Sequence, residues 1–222
     1  MKQQFLAFFS GFPNHHFPNK IVNRLQNEIT QHNAIVFVSG WPSNYEKNDI
    51  AIKSIYNMFS EVGLTFSHCS IIDNRIEKSE AIQMVNEASC IFLMGGYPEE
   101  QLQLLRDKGL DNVLCDTNTS ILGVSAGSIN MAKRSLGTIE FLVPYSGLGL
   151  ADITVKPHFK LDDEHLVSSL KQVSMELQIF AMEDYSAIFI SDNDLSFIGK
   201  IYCFNKGEIC RVSKDFLQKI IP

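Results

Sequence analysis

The stretch Ile121-Leu122-Gly123-Val124-Ser125-Ala126-Gly127-Ser128-Ile129-Asn130-Met131-Ala132 decides the fold. Two apolar residues lead into Gly-x-Ser-x-Gly, and a segment able to start a helix follows at once. This is a nucleophile elbow in its strand–turn–helix setting. The turn is too tight for Cβ atoms two residues either side of the serine. The serine hydroxyl then stands clear at a helix N-terminus, where the dipole favours developing negative charge. As five residues alone the pattern is weak, with a tight structural turn as its alternative; the flanking segments give it weight.

Upstream, short β-type runs alternate with helical patterns. Phe5 to Phe9 reads as a first strand, and Asn19 to His32 as an amphipathic helix with Ile21, Val22, Leu25 and Ile29 at helical spacing. Ala34 to Ser39 is the next strand, and Ser43 or Asn44 caps a helix running to about Glu61. Thr65 to Ile72, Cys90 to Met94 and Ile121 to Val124 are further strands, separated by helical Lys78 to Asn86 and Pro98 to Lys108. The alternation predicts a single α/β domain over residues 1–222, with a doubly wound, mostly parallel sheet and helices on both faces. Ligands bind such sheets beyond the carboxyl ends of the strands. After residue 180, Ala187 to Ser191, Leu195 to Ile198 and Ile201 to Phe204 suggest a small antiparallel C-terminal appendage, closed by a helix from Lys214 to Ile220.

A serine at neutral pH needs a base, and histidine suits that task. Of the six histidines, His158 stands out: it follows Ala151 to Val155 and sits in Lys156-Pro157-His158-Phe159, at the end of a strand candidate. His15 and His16 lie after the first strand and line the same rim. His32 ends a helix, His68 falls within a strand, and His165 lies in the acidic start of a helix. An α/β-hydrolase also runs serine, acid, histidine, but its histidine lies far beyond the elbow. Here nothing after His165 is a histidine, and the Ser125–His158 gap is too short for that architecture.

Gly123-Val124-Ser125-Ala126-Gly127, the downstream Pro157-His158-Phe159, and Phe92-Leu93-Met94-Gly95-Gly96 ahead of Leu102 and Leu105 together resemble the peptidase E family of serine peptidases. That family also contains cyanophycinase, and its fold is similar to class I glutamine amidotransferase domains. The resemblance covers about residues 30 to 205. It implies Ser125 as nucleophile and His158 as base, with an Asp or Glu shortly after the elbow as third member. Glu140 falls at about that place, and Asp152, Glu183 and Asp184 compete with it. The acid would accept the second N–H of the histidine and fix its tautomer.

An oxyanion hole needs two converging N–H donors. One is the backbone of Ala126; the other is Gly96 or Gly95, where glycine permits close approach of a substrate. Two residues depart from the family pattern: Tyr97 stands where Asn is common after Gly-Gly, and Ser128 where Ala is common. Both, with Lys156, are candidate substrate-binding residues. Arg134 and Lys160 are further cations in the same region. The expected activity is hydrolysis of a peptide bond in a small peptide, in a dipeptidase-like exopeptidase mode, through a Ser-His-Glu triad and an acyl-enzyme. A glutamine amidotransferase-like amidase and a non-catalytic ligand-binding module on the same fold are the competing readings.

Composition narrows the remaining classes. The chain has 222 residues, 19 Lys+Arg against 25 Asp+Glu, and a formal net charge of −6. No run of four basic residues offers the concentrated positive face that phosphate contacts need, so no nucleic-acid partner is expected. The longest apolar runs are about five residues, where a membrane span needs ~20, and the N-terminus lacks the pattern of a signal peptide. The five cysteines form no Cys-x-x-Cys pair and no even framework, which suits a reducing cytoplasm. The histidine spacings form no metal site, and no phosphate-binding loop occurs, so no cofactor or metal is expected. The helix at Asn19 to His32 and the late strands are surfaces available for a homodimer.

Overall fold

The computed structural model describes residues 4–137, 142–191 and 194–213. The first half is a run of strand–helix units: β1 (Leu6–Phe9), α1 (Asn19–Glu28), β2 (Ala34–Gly40), α2 (Tyr45–Glu61), β3 (His68–Ile72), α3 (Lys78–Glu87), β4 (Cys90–Gly96), α4 (Pro98–Asp107), α5 (Leu110–Asp116), β5 (Ser120–Val124) and α6 (Ala126–Met131). Then come β6 (Arg134–Leu136), β7 (Pro144–Ser146), β8 (Val155–Lys156), α7 (Glu164–Val173), β9 (Ile179–Met182), β10 (Ala187–Ser191), β11 (Asp194–Ile198), β12 (Ile201–Asn205) and β13 (Glu208–Arg211).

The main sheet has seven strands in the order β11-β10-β1-β5-β4-β2-β3, and β1, β5, β4, β2 and β3 run parallel. Their apolar runs are continuous because both faces are covered. Alternation along the strands sends side chains into two cores. Phe8, Val36, Val38, Ile91 and Leu93 meet the apolar faces of α3, α4 and α5 on one side. Phe9, Phe37, Phe92, Met94 and Leu122 meet α1 and α2 on the other. Each fully buried aromatic or aliphatic side chain contributes roughly 1.5–3 kcal/mol.

Helix starts follow local chemistry. The Asn44 side chain accepts from Lys47 N–H and caps α2, and Asp163 accepts from Leu166 N–H to cap α7. Pro98 opens α4, where its missing N–H costs nothing. Helix α5 follows α4 after a left-handed Gly109, and its seven residues carry too short a period to be read from sequence.

The late strands are antiparallel as expected, but they divide between two sheets. β10 pairs with β1 and β11 with β10, extending the main sheet. β12 joins a second sheet of order β13-β12-β9-β8, in which β8 and β9 are parallel. The helix expected from Lys214 to Ile220 and the candidate Glu140 lie outside the described residues. Among the described residues, no helix is long and apolar enough to cross a membrane.

Candidate active site

Ser125 follows β5 and holds the N-cap position of α6 with φ 52° and ψ −110°, an uncommon backbone for a residue with a side chain. Such conformations cost on the order of 1–3 kcal/mol and persist where the surroundings enforce them. Here the Ser125 N–H donates to Phe9 O at 3.0 Å, and Ser125 O accepts from Ile129 N–H at 3.0 Å. A Cβ on Gly127 would collide with the Leu93 carbonyl, so the helix meets β4 only with glycine there.

His158 enters from the second sheet. It lies two residues beyond β8, and Asp184 lies two beyond β9. Because β8 and β9 run parallel with Lys156 opposite Ala181, their carboxyl ends emerge side by side. His158 Nδ1 is 2.7 Å from Asp184 Oδ1, and Nε2 is 2.9 Å from Ser125 Oγ. A carboxylate only accepts, so Nδ1 carries the proton and Nε2 is left to accept from the serine hydroxyl. The His158 side chain is 52% exposed and that of Asp184 33%, open to substrate and water.

Of the four carboxylates the sequence offers, Asp184 is the one that meets His158 Nδ1 among the described residues, and Glu140 lies outside them. Nδ1 has one proton to give, and Asp184 takes it. Asp152 and Glu183 are engaged elsewhere. Asp152 pairs with Lys133 at 3.5 Å on the surface, and Glu183 pairs with Lys200 at 3.1 Å and accepts from Tyr202 Oη at 3.3 Å.

Two residues that the sequence does not single out hold His158 in place. The buried Ser10 Oγ accepts the His158 backbone N–H at 2.7 Å and donates to Met182 O at 2.9 Å. This supports the left-handed backbone of His158, whose φ is 56°. Beside it, a Cβ on Gly11 would fall 2.6 Å from His158 Cε1 and 2.7 Å from Asp184 Oδ1. Their only signal in the sequence is a pair of small residues directly after the apolar run Phe5 to Phe9.

Ala126 is the first residue of α6, where a backbone N–H has no partner within the helix. Gly95, next to last in β4, lies against Ser125: a Cβ there would lie 3.5 Å from Ser125 Cβ. Gly96, with φ 145°, pairs with Gly40 at the end of β2. Tyr97 donates its N–H to Gly40 O at 2.9 Å, and the residue is 56% exposed. With Trp41, Tyr45, Glu46 and Glu100 it lines an open cleft of about 470 Å³.

Ser128 does not face a substrate. It is fully buried; its Oγ accepts from Phe9 N–H at 2.9 Å and lies 2.6 Å from Gly123 O and 2.8 Å from Phe9 O. It fastens the elbow helix to β1 and β5. Lys156 is also buried, on the Ala181 face of the second sheet, and burial holds its ammonium pKa below the usual lysine value. Among the described residues it forms no ion pair with the site. His16 packs on Tyr185 at 5.5 Å and His15 lies 3.3 Å from Ser54 Oγ, so both belong to the rim. His32 Nε2 lies 2.9 Å from Ile29 O, just past the end of α1.

Comparison with known proteins gives a consistent result. The family model described as Peptidase family S51 matches residues 6–198. Among solved structures, a peptidase from an acI-B1 Actinobacterium is similar with a TM-score of 0.73 at 13% identity, over 96% of this chain and 95% of that one. A protein of Listeria monocytogenes EGD-e assigned to peptidase E is similar with a TM-score of 0.66 at 17% identity, over 89% of this chain and 98% of that one. At such identities the likeness concerns the fold. No curated protein sequence matches the chain.

Proposed function

The chain belongs to peptidase family S51, the peptidase E family of serine peptidases, and from that membership we propose that it hydrolyses a peptide bond in a small peptide through Ser125, His158 and Asp184. The observation that carries this reading is the unbroken hydrogen-bonded chain from Ser125 Oγ through both ring nitrogens of His158 to Asp184.

His158 Nε2 takes the hydroxyl proton as Ser125 Oγ attacks the carbonyl carbon. Asp184 keeps the ring in the required tautomer and stabilises the imidazolium that forms. The oxyanion is met by the N–H of Ala126 and by the glycine strand end at Gly95 and Gly96, on the Ser125 side of β4. His158 then gives its proton to the departing amine, leaving an acyl-enzyme. The same nitrogen removes a proton from water, which attacks the ester and frees Ser125. The Trp41–Tyr97 cleft is the natural place for a substrate group beside the scissile bond, in a dipeptidase-like exopeptidase mode.

Fluorophosphonate labelling tests this directly. Covalent capture at Ser125, lost in Ser125→Ala and His158→Ala, together with turnover of short peptides, is the expected result. A folded wild type that resists the probe and cleaves nothing on a broad peptide panel would return the site to a ligand-binding role. Turnover blocked by thiol reagents instead would favour an amidotransferase-like amidase.

A further inference from the structure

Two of the five free cysteines face one another. Cys203 on β12 is directly opposite Cys210 on β13 across an antiparallel pair. The hairpin between them turns on Lys206 and Gly207, both with positive φ, the backbone of a tight two-residue turn. Such a turn pairs Asn205 with Glu208, and the alternation of the ladder then makes Cys203 and Cys210 a hydrogen-bonded pair. Residues so paired have Cα atoms about 5.5 Å apart, within the ~4.4–6.8 Å range that a disulfide spans. Directly opposed side chains also project from the same face of the sheet, so the thiols point together.

Their surroundings differ. Cys203 is buried in the core between the sheets, whereas Cys210 is exposed on the edge strand. Burial, and then the neighbouring Cys210, push the Cys203 thiol up to about 12. Cys203 is therefore protected from direct oxidation, and an oxidant meets Cys210 first. The two other exposed thiols, Cys69 and Cys115, have no cysteine opposite them: Cys69 of β3 pairs with Ile35 of β2, and Cys115 Sγ lies 3.3 Å from Leu148 O.

We propose that Cys203 and Cys210 form a peroxide-responsive modification site, closing a disulfide across the β12–β13 hairpin. A hydroperoxide oxidises the Cys210 thiol to a sulfenic acid and is itself reduced to water or an alcohol. The Cys203 sulfur then attacks the Cys210 sulfur, the S–O bond breaks, and the Cys203 proton leaves with the hydroxyl as water. Two thiols and one peroxide thus give one disulfide. Adjacency across the ladder offsets the low nucleophilicity of a thiol that is almost wholly protonated.

The test uses the intact wild-type chain treated with stoichiometric hydrogen peroxide. Lys206 lies between the two cysteines, Lys200 before them and Arg211 after them, so trypsin separates the two halves of the hairpin. The expected product is peptide 201–206 joined to peptide 207–211, restored to two free peptides by reductant. Cys203→Ser should abolish the link and raise trapping of Cys210 sulfenic acid by dimedone. Over-oxidation of Cys210 to sulfinic acid in the wild type with no linked peptide would overturn the proposal. So would a link from Cys210 to Cys69, Cys115 or a second chain. None of these readouts depends on peptidase activity.

Discussion

His158 Nε2 stands 2.9 Å from Ser125 Oγ although 33 residues separate them and they arrive from different sheets. Ser125 is delivered by β5 of the main sheet, and His158 by β8 of the smaller one. The site therefore depends on how the two sheets meet, and Ser10 is the residue at that junction. It directly follows β1, bonds to the backbone of His158, and reaches Met182 at the end of β9.

Asp184→Asn should lower kcat by roughly 10²–10⁴, with folding intact, because the wrong histidine tautomer is then favoured. Glu140→Gln should leave kcat close to wild type. Steady-state kinetics on both variants, with circular dichroism as the folding control, separate the two carboxylates. Equal losses would reopen the identity of the acid.

Gly11→Ala places a methyl group where His158 Cε1 and Asp184 Oδ1 already lie. The ring and carboxylate must shift, and a displacement near 1 Å at a catalytic group costs on the order of 10² in rate. The loss should appear in kcat with KM nearly unchanged. An unaltered kcat would mean that the pair tolerates movement.

Ser128→Ala should destabilise the fold by about 1–3 kcal/mol, since it leaves the Phe9 N–H buried without its hydroxyl partner. Urea unfolding measures this. The order of preference among peptide substrates should not change, because the residue does not reach the surface.

Tyr97→Ala removes an exposed aromatic wall of the cleft beside Gly96. An aromatic contact is worth about 0.5–1.5 kcal/mol, so KM should rise roughly two- to tenfold. A comparable fall in kcat with constant KM would place Tyr97 in the transition state instead.

Asp73 predicts an acid-sensitive element behind the cleft. Burial pushes its pKa up, but hydrogen bonds from Arg75 and Asn48 and the charge of Arg75 outweigh this, and the net shift is downward. A carboxyl whose folded pKa lies below its unfolded value binds fewer protons when folded. Its contribution to stability is present above the unfolded value of about 4 and disappears as pH falls through the folded one. Asp73→Asn should therefore flatten the loss of stability on acidification below about pH 4. A wild-type slope in the variant would assign the acid sensitivity to other carboxylates.

Much of the architecture is legible from residues 5 to 132, where the strand–helix alternation matches the observed elements within a few residues. The short α5 is not, since seven residues scarcely establish a helical period. Nor is the destination of the late strands: nothing in Ala187 to Ser191 tells whether it pairs with β9 or, as it does, with β1. Ser128 is a candidate substrate contact in the sequence and a buried fastener in the fold. Burial belongs to the packed chain, and a serine beside a nucleophile looks the same whether its hydroxyl faces solvent or a backbone carbonyl.

The elbow at Ser125 was determined by the sequence itself, because its geometry is local: two glycines, a serine and the flanking elements are consecutive in the chain. His158 was marked by its strand-end setting and by the scarcity of other suitable histidines. Which carboxylate meets His158 is visible only in the tertiary structure. Glu140, Asp152, Glu183 and Asp184 carry the same chemistry, and hydrogen bonding acts over about 3 Å. The parallel register of β8 against β9 brings Asp184 within that distance of His158, and a pairing between strands lies outside what local sequence encodes.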